Sequence, residues 1–446
     1  MLVQFRVRNF LSFGDTQIFS MRAGKFRNFT DRVYTGGKYK LLKFMSIYGA
    51  NASGKSNLIS AIGFFKNIIV NGLDHGTYPY YCRTEETNKD CATLFEIKID
   101  INNRIFVYGF EVFLNTGSFS HEWLYEELKN GSKHDVFDRN IKNGKIIFGT
   151  YIKSTSSRER LKIYGDDVKS DDSILFLKLM NQNKDSLYKY TNKMIVFKQI
   201  YNWIKFKLSV NSPERPITNY SWLIDHNNLN EIEKKLNHFA TGIEKVYINS
   251  IAPEKVSSNF PKEMIKDVHE MLSEQKSTSD SQPAVLIRSP DNSMFIISID
   301  DHGGFEYKTF EFKHKNSQSI YSLEEESDGT VRLLDIIEIL LNNDNDKVYV
   351  VDEINRMFHP LLTVKFVQEF LEMAKERNIQ LVVTTHESQL MNLKLLRKDE
   401  INFINKDERG NSSIGSLADS DDRYDKKIIK EYFNGKYDAI PFRVKL

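Results

Sequence analysis

Leu41-Leu42-Lys43-Phe44-Met45-Ser46-Ile47-Tyr48 runs straight into Gly49-Ala50-Asn51-Ala52-Ser53-Gly54-Lys55-Ser56. The first stretch is an apolar run short enough to be a buried strand. The second fits G-x-x-x-x-G-K-[ST], whose glycines let backbone N–H groups curl around phosphate oxygens at the positive end of the next helix. Beyond it Leu58, Ala61, Ile62, Phe65 and Ile69 fall on one face of a helix that starts near Lys55. A chance match in a glycine-bearing turn would lack this strand before it and this helix after it, so the stretch reads as a phosphate-binding loop. Lys55 would reach the β- and γ-phosphates of ATP, and the Ser56 hydroxyl would ligate Mg2+.

The rest of the chain is long enough to serve such a loop. Its 446 residues suggest two to three domains, and 31 Phe and 21 Tyr need cores to bury them. Lys and Arg exceed Asp and Glu by two, so no overall positive field draws the chain to nucleic acid or an anionic membrane. Two cysteines, Cys82 and Cys91, exclude a disulfide framework and a cysteine-rich zinc module. No apolar run is long enough to cross a bilayer, and Met1 to Phe10 lacks the apolar block of a secretion signal. The expectation is a soluble, cytoplasmic protein with no membrane partner.

Period-two patterning predicts a hairpin over the first twenty residues and another over Leu94–Ile101 and Arg104–Phe113, turned by Asn102-Asn103. Phe119 to Leu128 reads as a further strand. Asp171 to Val210 is helical in texture, followed by a proline-bearing turn (Ser212 to Pro216), helices over Leu229–Thr241 and Glu263–Gln275, and a surface loop at Ser277–Ser281. Strands resume at Met294–Asp300 and Phe305–Phe312. The last third alternates helix and strand, which predicts a parallel sheet with helices on it. Within it, Val348-Tyr349-Val350-Val351 is an apolar strand that ends in Asp352 and Glu353. In a P-loop fold this strand would lie beside the P-loop strand and bring Asp352 to Mg2+, with Glu353 placed to polarise the attacking water.

The order of these motifs resembles the non-transporter branch of the ABC ATPases, the SMC, RecF and OLD-type proteins. Within it the chain is similar to bacterial AAA-family ATP-binding proteins of the RloA and AbiL kind, linked to phage defence. The likeness rests on Asn9-Phe10-Leu11-Ser12-Phe13, the loop Gly49 to Ser56 with its trailing Asn57, and Glu326-Ser327-Asp328-Gly329-Thr330 as signature. It continues through Asp352-Glu353-Ile354-Asn355, His359-Pro360, Thr385-His386 and Ala439-Ile440-Pro441-Phe442.

The resemblance implies an α/β fold: an ABC-type P-loop NTPase head, a mixed sheet with flanking helices and an antiparallel β lobe, plus an inserted helical subdomain. Its expected parts are an N-terminal lobe over 1–150, a mainly helical insertion over 151–290 and a C-terminal lobe over 291–446. It also implies nucleotide contacts from Gly49 to Asn57, a metal set of Ser56 and Asp352, and catalytic roles for Lys55, Glu353 and His386. Two subunits would pack head to tail, with Ser327 and Gly329 of one closing over ATP held by the other. A Ser cap at a helix start is the plain reading of Ser327, and it is compatible with phosphate docking there. Two departures stand out: Asp328 replaces a signature glycine, and no glutamine between Gln17 and Gln182 can serve as a Q-loop. Both imply slow hydrolysis.

The 60 residues after His386 are too few for a Toprim nuclease, so a separate effector, a toxin or nuclease, is the expected partner. Lys184, Lys189, Lys193, Lys198, Lys205 and Lys207, interleaved with Tyr188, Tyr190, Tyr201 and Trp203, leave nucleic acid open as a second partner. A solvated helix face with its aromatics in the core explains the same pattern. Three functions follow: a sensor or regulatory ATPase of antiphage defence, a RecF-like DNA-clamping repair ATPase, and a stand-alone nucleotide hydrolase.

Overall fold

The computed structural model describes residues 1–188, 193–211, 229–278, 283–289, 291, 293–300, 302–420, 428–434 and 437. The chain divides into two compact units. One comprises Met1–Glu214, Asp344–Asn355 and Val364–Leu446; the other comprises Arg215–Asn343 and Arg356–Thr363.

The first unit opens with the predicted hairpin, β1 (Leu2–Arg8) and β2 (Gln17–Ser20). Short strands β3 (Val33–Tyr34) and β4 (Leu41–Leu42) pair with each other. β5 (Phe44–Tyr48), buried along its whole length, leads through the glycine loop into α1 (Lys55–Asn71). Five strands follow: β6 (Thr93–Ile101), β7 (Arg104–Phe113), β8 (Ser118–Glu127), β9 (Lys133–Asn140) and β10 (Lys145–Phe148). They join β1 and β2 in a seven-stranded antiparallel sheet ordered β10-β9-β8-β7-β6-β1-β2. Asn102 and Asn103 take φ of 52° and 62° between β6 and β7, the left-handed pair a two-residue turn needs.

The second sheet of this unit carries the chemistry. β11 (Leu208–Asn211), β17 (Val348–Val351), β18 (Gln380–Thr384), β5 and β19 (Ile401–Lys406) run parallel in that order, and β20 (Ser412–Ser416) closes the edge antiparallel. The acid-bearing β17 is therefore not the neighbour of β5, as the sequence led us to expect. β18 lies between them, so its C-terminal residues face both the acids and the phosphate loop.

One core cluster takes in α1 and inward residues of both sheets. Phe65 of α1 stacks on Phe110 of β7 at 5.6 Å and meets Phe5 of β1 edge-on at 5.6 Å. Burying such a ring stabilises the fold by roughly 1.5–3 kcal/mol. Ile59 and Ile68 of α1 are buried as well, so the helix is covered beyond the single stripe seen in the sequence. A fully buried ion pair ties the next segment down. Glu122 accepts from the N–H groups of Phe176 and Leu177 and the Tyr108 hydroxyl, while Arg139 donates to the carbonyls of Val168, Asp171 and Ile174.

The helical reading of Asp171 to Val210 holds for Phe176–Leu179, Asp185–Tyr188 and Ile195–Asn202 but fails at its end. A π-helical turn over Trp203–Lys207 releases the chain into β11, and Lys66 of α1 donates to the Leu208 carbonyl at 2.6 Å. Trp203 is buried, as the solvated-face reading of this lysine-rich stretch requires of its aromatics, while Lys193 and Lys205 are exposed.

In the second unit, β12 (Ile243–Ser250), β13 (Ala284–Arg288), β14 (Met294–Ile299) and β15 (Phe305–His314) form an antiparallel sheet ordered β12-β15-β14-β13, with β16 (Ile320–Ser322) beside β15. Val268 and Leu272 of the helix Lys262–Thr278 share a small core with Phe295 and Ile297 of β14. Ser277 and Thr278 end that helix rather than opening a loop. Ser279 to Ser281, the turn at Ser212 to Pro216, Lys189, Tyr190 and Ala439 to Phe442 lie outside the described residues. No described helix is long and apolar enough to cross a membrane.

Candidate active site

The loop between Tyr48 and Lys55 has the shape its glycines allow. A Cβ on Gly49 would sit 2.4 Å from the Ile404 carbonyl and 2.5 Å from Ser53 Oγ. Gly54 has a φ of +111°, and a Cβ there would meet Ser412 Oγ at 2.4 Å and Ser12 Oγ at 2.7 Å. Those hydroxyls belong to a wall around the loop. Ser412 Oγ donates to the Ser53 carbonyl at 2.6 Å and shares a hydrogen bond of 2.7 Å with Ser12 Oγ, and Asn57 Nδ2 donates to Ser12 Oγ at 2.7 Å. Asn57 thus braces the wall.

Ala50, Asn51, Ala52 and Ser56 are open or partly open to solvent, whereas Ser53 is buried with no hydrogen bond to its Oγ among the described residues. The first turn of α1 has no side-chain cap and no acidic residue, so its N–H dipoles face outward uncompensated. Lys55 folds back, donating Nζ to the carbonyls of Gly49 and Ala50 at 2.9 Å each. Burial pulls its pKa down, with Asp352 and Glu353 opposing. An orphaned hydroxyl, a glycine cradle and a buried ammonium are what a triphosphate with Mg2+ requires, and the residues present fit that ligand.

The acids are held by β18. Asp352 is buried; its N–H bonds the Asn211 carbonyl at 3.0 Å and its Oδ1 accepts from the Thr384 hydroxyl. Glu353 turns out of the strand at φ 48°, and its N–H donates to the same Thr384 oxygen at 2.7 Å. One residue on, Thr385 Oγ1 and the His386 N–H both donate to Asn355 Oδ1, at 2.9 and 3.2 Å. Tyr48, at the end of β5, donates its hydroxyl to the Glu387 carbonyl at 3.2 Å. Partial burial and the Lys55 charge lower the His386 pKa against the opposing acids, which favours the neutral imidazole. The structure thus gathers Lys55, Ser56, Asp352, Glu353 and His386 at the C-terminal ends of β5, β17 and β18. Thr384, Asn355, Asn211 and Ser412 complete that arrangement without roles assigned from sequence; their signal is pairing between strands, which periodicity does not contain.

Ser327 and Gly329 belong to the second unit. Ser327 caps the helix Asp328–Ile336, accepting from the Thr330 N–H at 3.2 Å, and it is exposed. With Thr241, Leu333 and Phe358 these residues line a cavity of about 160 Å3. A Cβ on Gly329 would come within 3.1 Å of the Met357 carbonyl.

A parallel sheet bearing a glycine cradle on one strand, paired acids on another and a histidine loop between them defines a P-loop ATPase of the ABC-like class. The family model described as "AAA domain, putative AbiEii toxin, Type IV TA system" matches residues 44–392, and the chain belongs to that family. A search of curated proteins returns no match. Among solved structures, the SMC head domain from Thermotoga maritima is 12% identical, covering 93% of this chain and 98% of that one, with a TM-score of 0.36. The SmcHead bound to the C-winged helix domain of ScpA is 16% identical over 93% and 97%, at a TM-score of 0.36. The Smc head with an extended coiled coil, bound to the C-terminal domain of ScpA derived from Pyrococcus furiosus, is 15% identical over 93% and 96%, at 0.34. At these scores the likenesses carry no weight for mechanism.

Proposed function

We propose that this ATPase is the sensor or regulatory subunit of a bacterial antiphage, abortive-infection type system, acting on a separate toxin or nuclease. The carrying observation is the pair of hydrogen-bonded brackets at Thr384 and Asn355, which join the acids to the histidine loop. In this reading Lys55 and the N–H groups of Gly49 to Ser56 hold the phosphates, and Ser56 and Asp352 hold Mg2+, which when bound offsets phosphate charge. Glu353 takes a proton from the attacking water, and His386 donates a hydrogen bond toward the γ-phosphate. The brackets convert the presence of that phosphate into one position of the His386 loop. Ser327 and Gly329 of a second subunit close over the nucleotide head to tail, which makes γ-phosphate occupancy a signal in subunit geometry. The toxin–antitoxin setting in the family description supports the biological role.

The test is a phage challenge of cells carrying the chain with the product of its neighbouring gene, beside cells carrying either alone. Protection or growth arrest is expected from the pair and is expected to be lost with Lys55→Ala. Full protection from the Lys55→Ala pair would remove ATP from the pathway.

A further inference from the structure

A cavity of about 350 Å3 in the first unit lies between the Phe29–Arg32 turn, the Gln368–Lys375 stretch and Lys394–Leu395. Arg32 forms part of its wall and is 3% exposed. Its Nη2 donates to the Leu395 carbonyl at 2.9 Å, but its Nε is buried without a hydrogen bond among the described residues. The nearest carboxylate partner is Glu400, at 3.8 Å. Burial holds that carboxyl up to about 7, so its negative charge is only partly present at neutral pH. Asp31 and Glu372 also act on the guanidinium through space, while Asp399 is bound to Arg397 through two contacts of 2.8 Å. A buried guanidinium whose Nε–H has no acceptor is costly unless one joins it.

A second observation concerns the backbone. Phe29 lies in the left-handed region at φ 51°, and its ring sits 4.2 Å from the Arg32 guanidinium. A bulky residue there costs roughly 1–3 kcal/mol, strain that accumulates at ligand sites. Lys375 is paired with Glu372 at 2.6 Å and with Asp31 at 3.8 Å, while Lys394 has no ion pair among the described residues. Three cations and two acids line the cavity, with Glu400 behind Arg32, and Leu371 and Leu395 give it an apolar floor.

We propose that this cavity binds a small organic oxyanion, a phosphate ester or carboxylate on an apolar body, held by Arg32 and Lys394 and separate from the nucleotide site. A guanidinium and an ammonium can each donate to an oxygen of either group, and the volume lies at the small end for ligand pockets.

Isothermal titration of the full chain tests this, with AMP-PNP and Mg2+ present throughout to occupy the phosphate loop. The probes are phenyl phosphate, benzoate, inorganic phosphate and phenol. One phenyl phosphate or benzoate per chain is expected, about tenfold tighter than inorganic phosphate, with no binding of phenol; the tighter of the two names the headgroup. Lys394→Glu, at an exposed position, should weaken that probe by about tenfold or more, and Arg32→Gln should abolish it in a variant that circular dichroism shows to be folded. Absence of binding by both organic anions overturns the proposal. So does equal binding by the parent and Lys394→Glu, or inorganic phosphate matching phenyl phosphate.

Discussion

Thr384 donates its hydroxyl proton to Asp352 while the same oxygen accepts the Glu353 N–H at 2.7 Å. A single side chain on β18 therefore sets both the carboxylate assigned to the metal and the backbone turn that aims the proposed base. Thr384→Val keeps the shape and removes both bonds. Losing two hydrogen bonds at a buried carboxylate and a strand end should cost about 1–3 kcal/mol of stability. Phosphate release should fall about 10- to 100-fold, the usual effect of losing a supporting partner, with ATP affinity little changed. Phosphate release at the parental rate would show that the acids need no such support.

Asn355 and His386 should behave as one unit. Asn355→Leu frees the histidine loop without touching the imidazole, and His386→Ala removes the imidazole without touching the loop. If the amide acts through the histidine, the double variant hydrolyses no more slowly than the worse single one. A double-mutant cycle would then give a coupling of roughly 0.5–3 kcal/mol; additive losses would separate the two residues.

Gly54→Ala should disable the site without affecting its charges. The new methyl would face two hydroxyls at 2.4 and 2.7 Å on a backbone of φ +111°. Nucleotide binding measured by titration should be lost, while the melting curve shifts by about 1–3 kcal/mol at most. Retained binding would mean that the Ser12–Ser412 wall yields easily.

Glu353→Gln should trap ATP and, on the head-to-tail reading, double its mass in light scattering when ATP is added. Ser327→Arg in the same background should stay a monomer, because the substituted side chain blocks the exposed helix start. A mass that ignores ATP at concentrations well above its binding constant would sink the shared-site model.

Stability should also fall with rising pH across one window. Burial raises the Glu400 carboxyl from 4.5 to about 7, with Arg32 opposing. Between those values the unfolded chain has released a proton that the folded chain keeps, so unfolding becomes easier as pH rises, by an amount on the order of 3 kcal/mol. Above about pH 7 the contribution is flat. Glu400→Gln should remove that slope in urea titrations at pH 5 and pH 7; an unchanged slope would assign it to other groups.

Much of the architecture was legible because it is local. The strands Val348–Val351 and Gln380–Thr384 and the start of α1 carry their signals within a few residues, as does the Asn102-Asn103 turn. β11 was not legible. Its four residues follow a π-helical turn without a glycine or proline to announce the change, and its strand character comes from pairing with β17. β9 and β10 escaped for a similar reason: Lys133–Asn140 is mostly polar, and its order comes from β8 and the buried Arg139–Glu122 pair. In the site, the residues that touch phosphate sit in one octapeptide, whereas Asn355 and Thr384 are bound to partners about thirty positions away.

Ser12 and Ser412, whose hydroxyls close on the glycine loop, are separated by 400 positions. β5, which carries that loop, has as its neighbours β18 and β19, both made late in synthesis. A ribosome that has delivered the whole octapeptide has therefore delivered only its sequence. The chain cannot grip a nucleotide during most of its translation, so a fragment broken off early would carry the signature of an ATPase and none of its signalling.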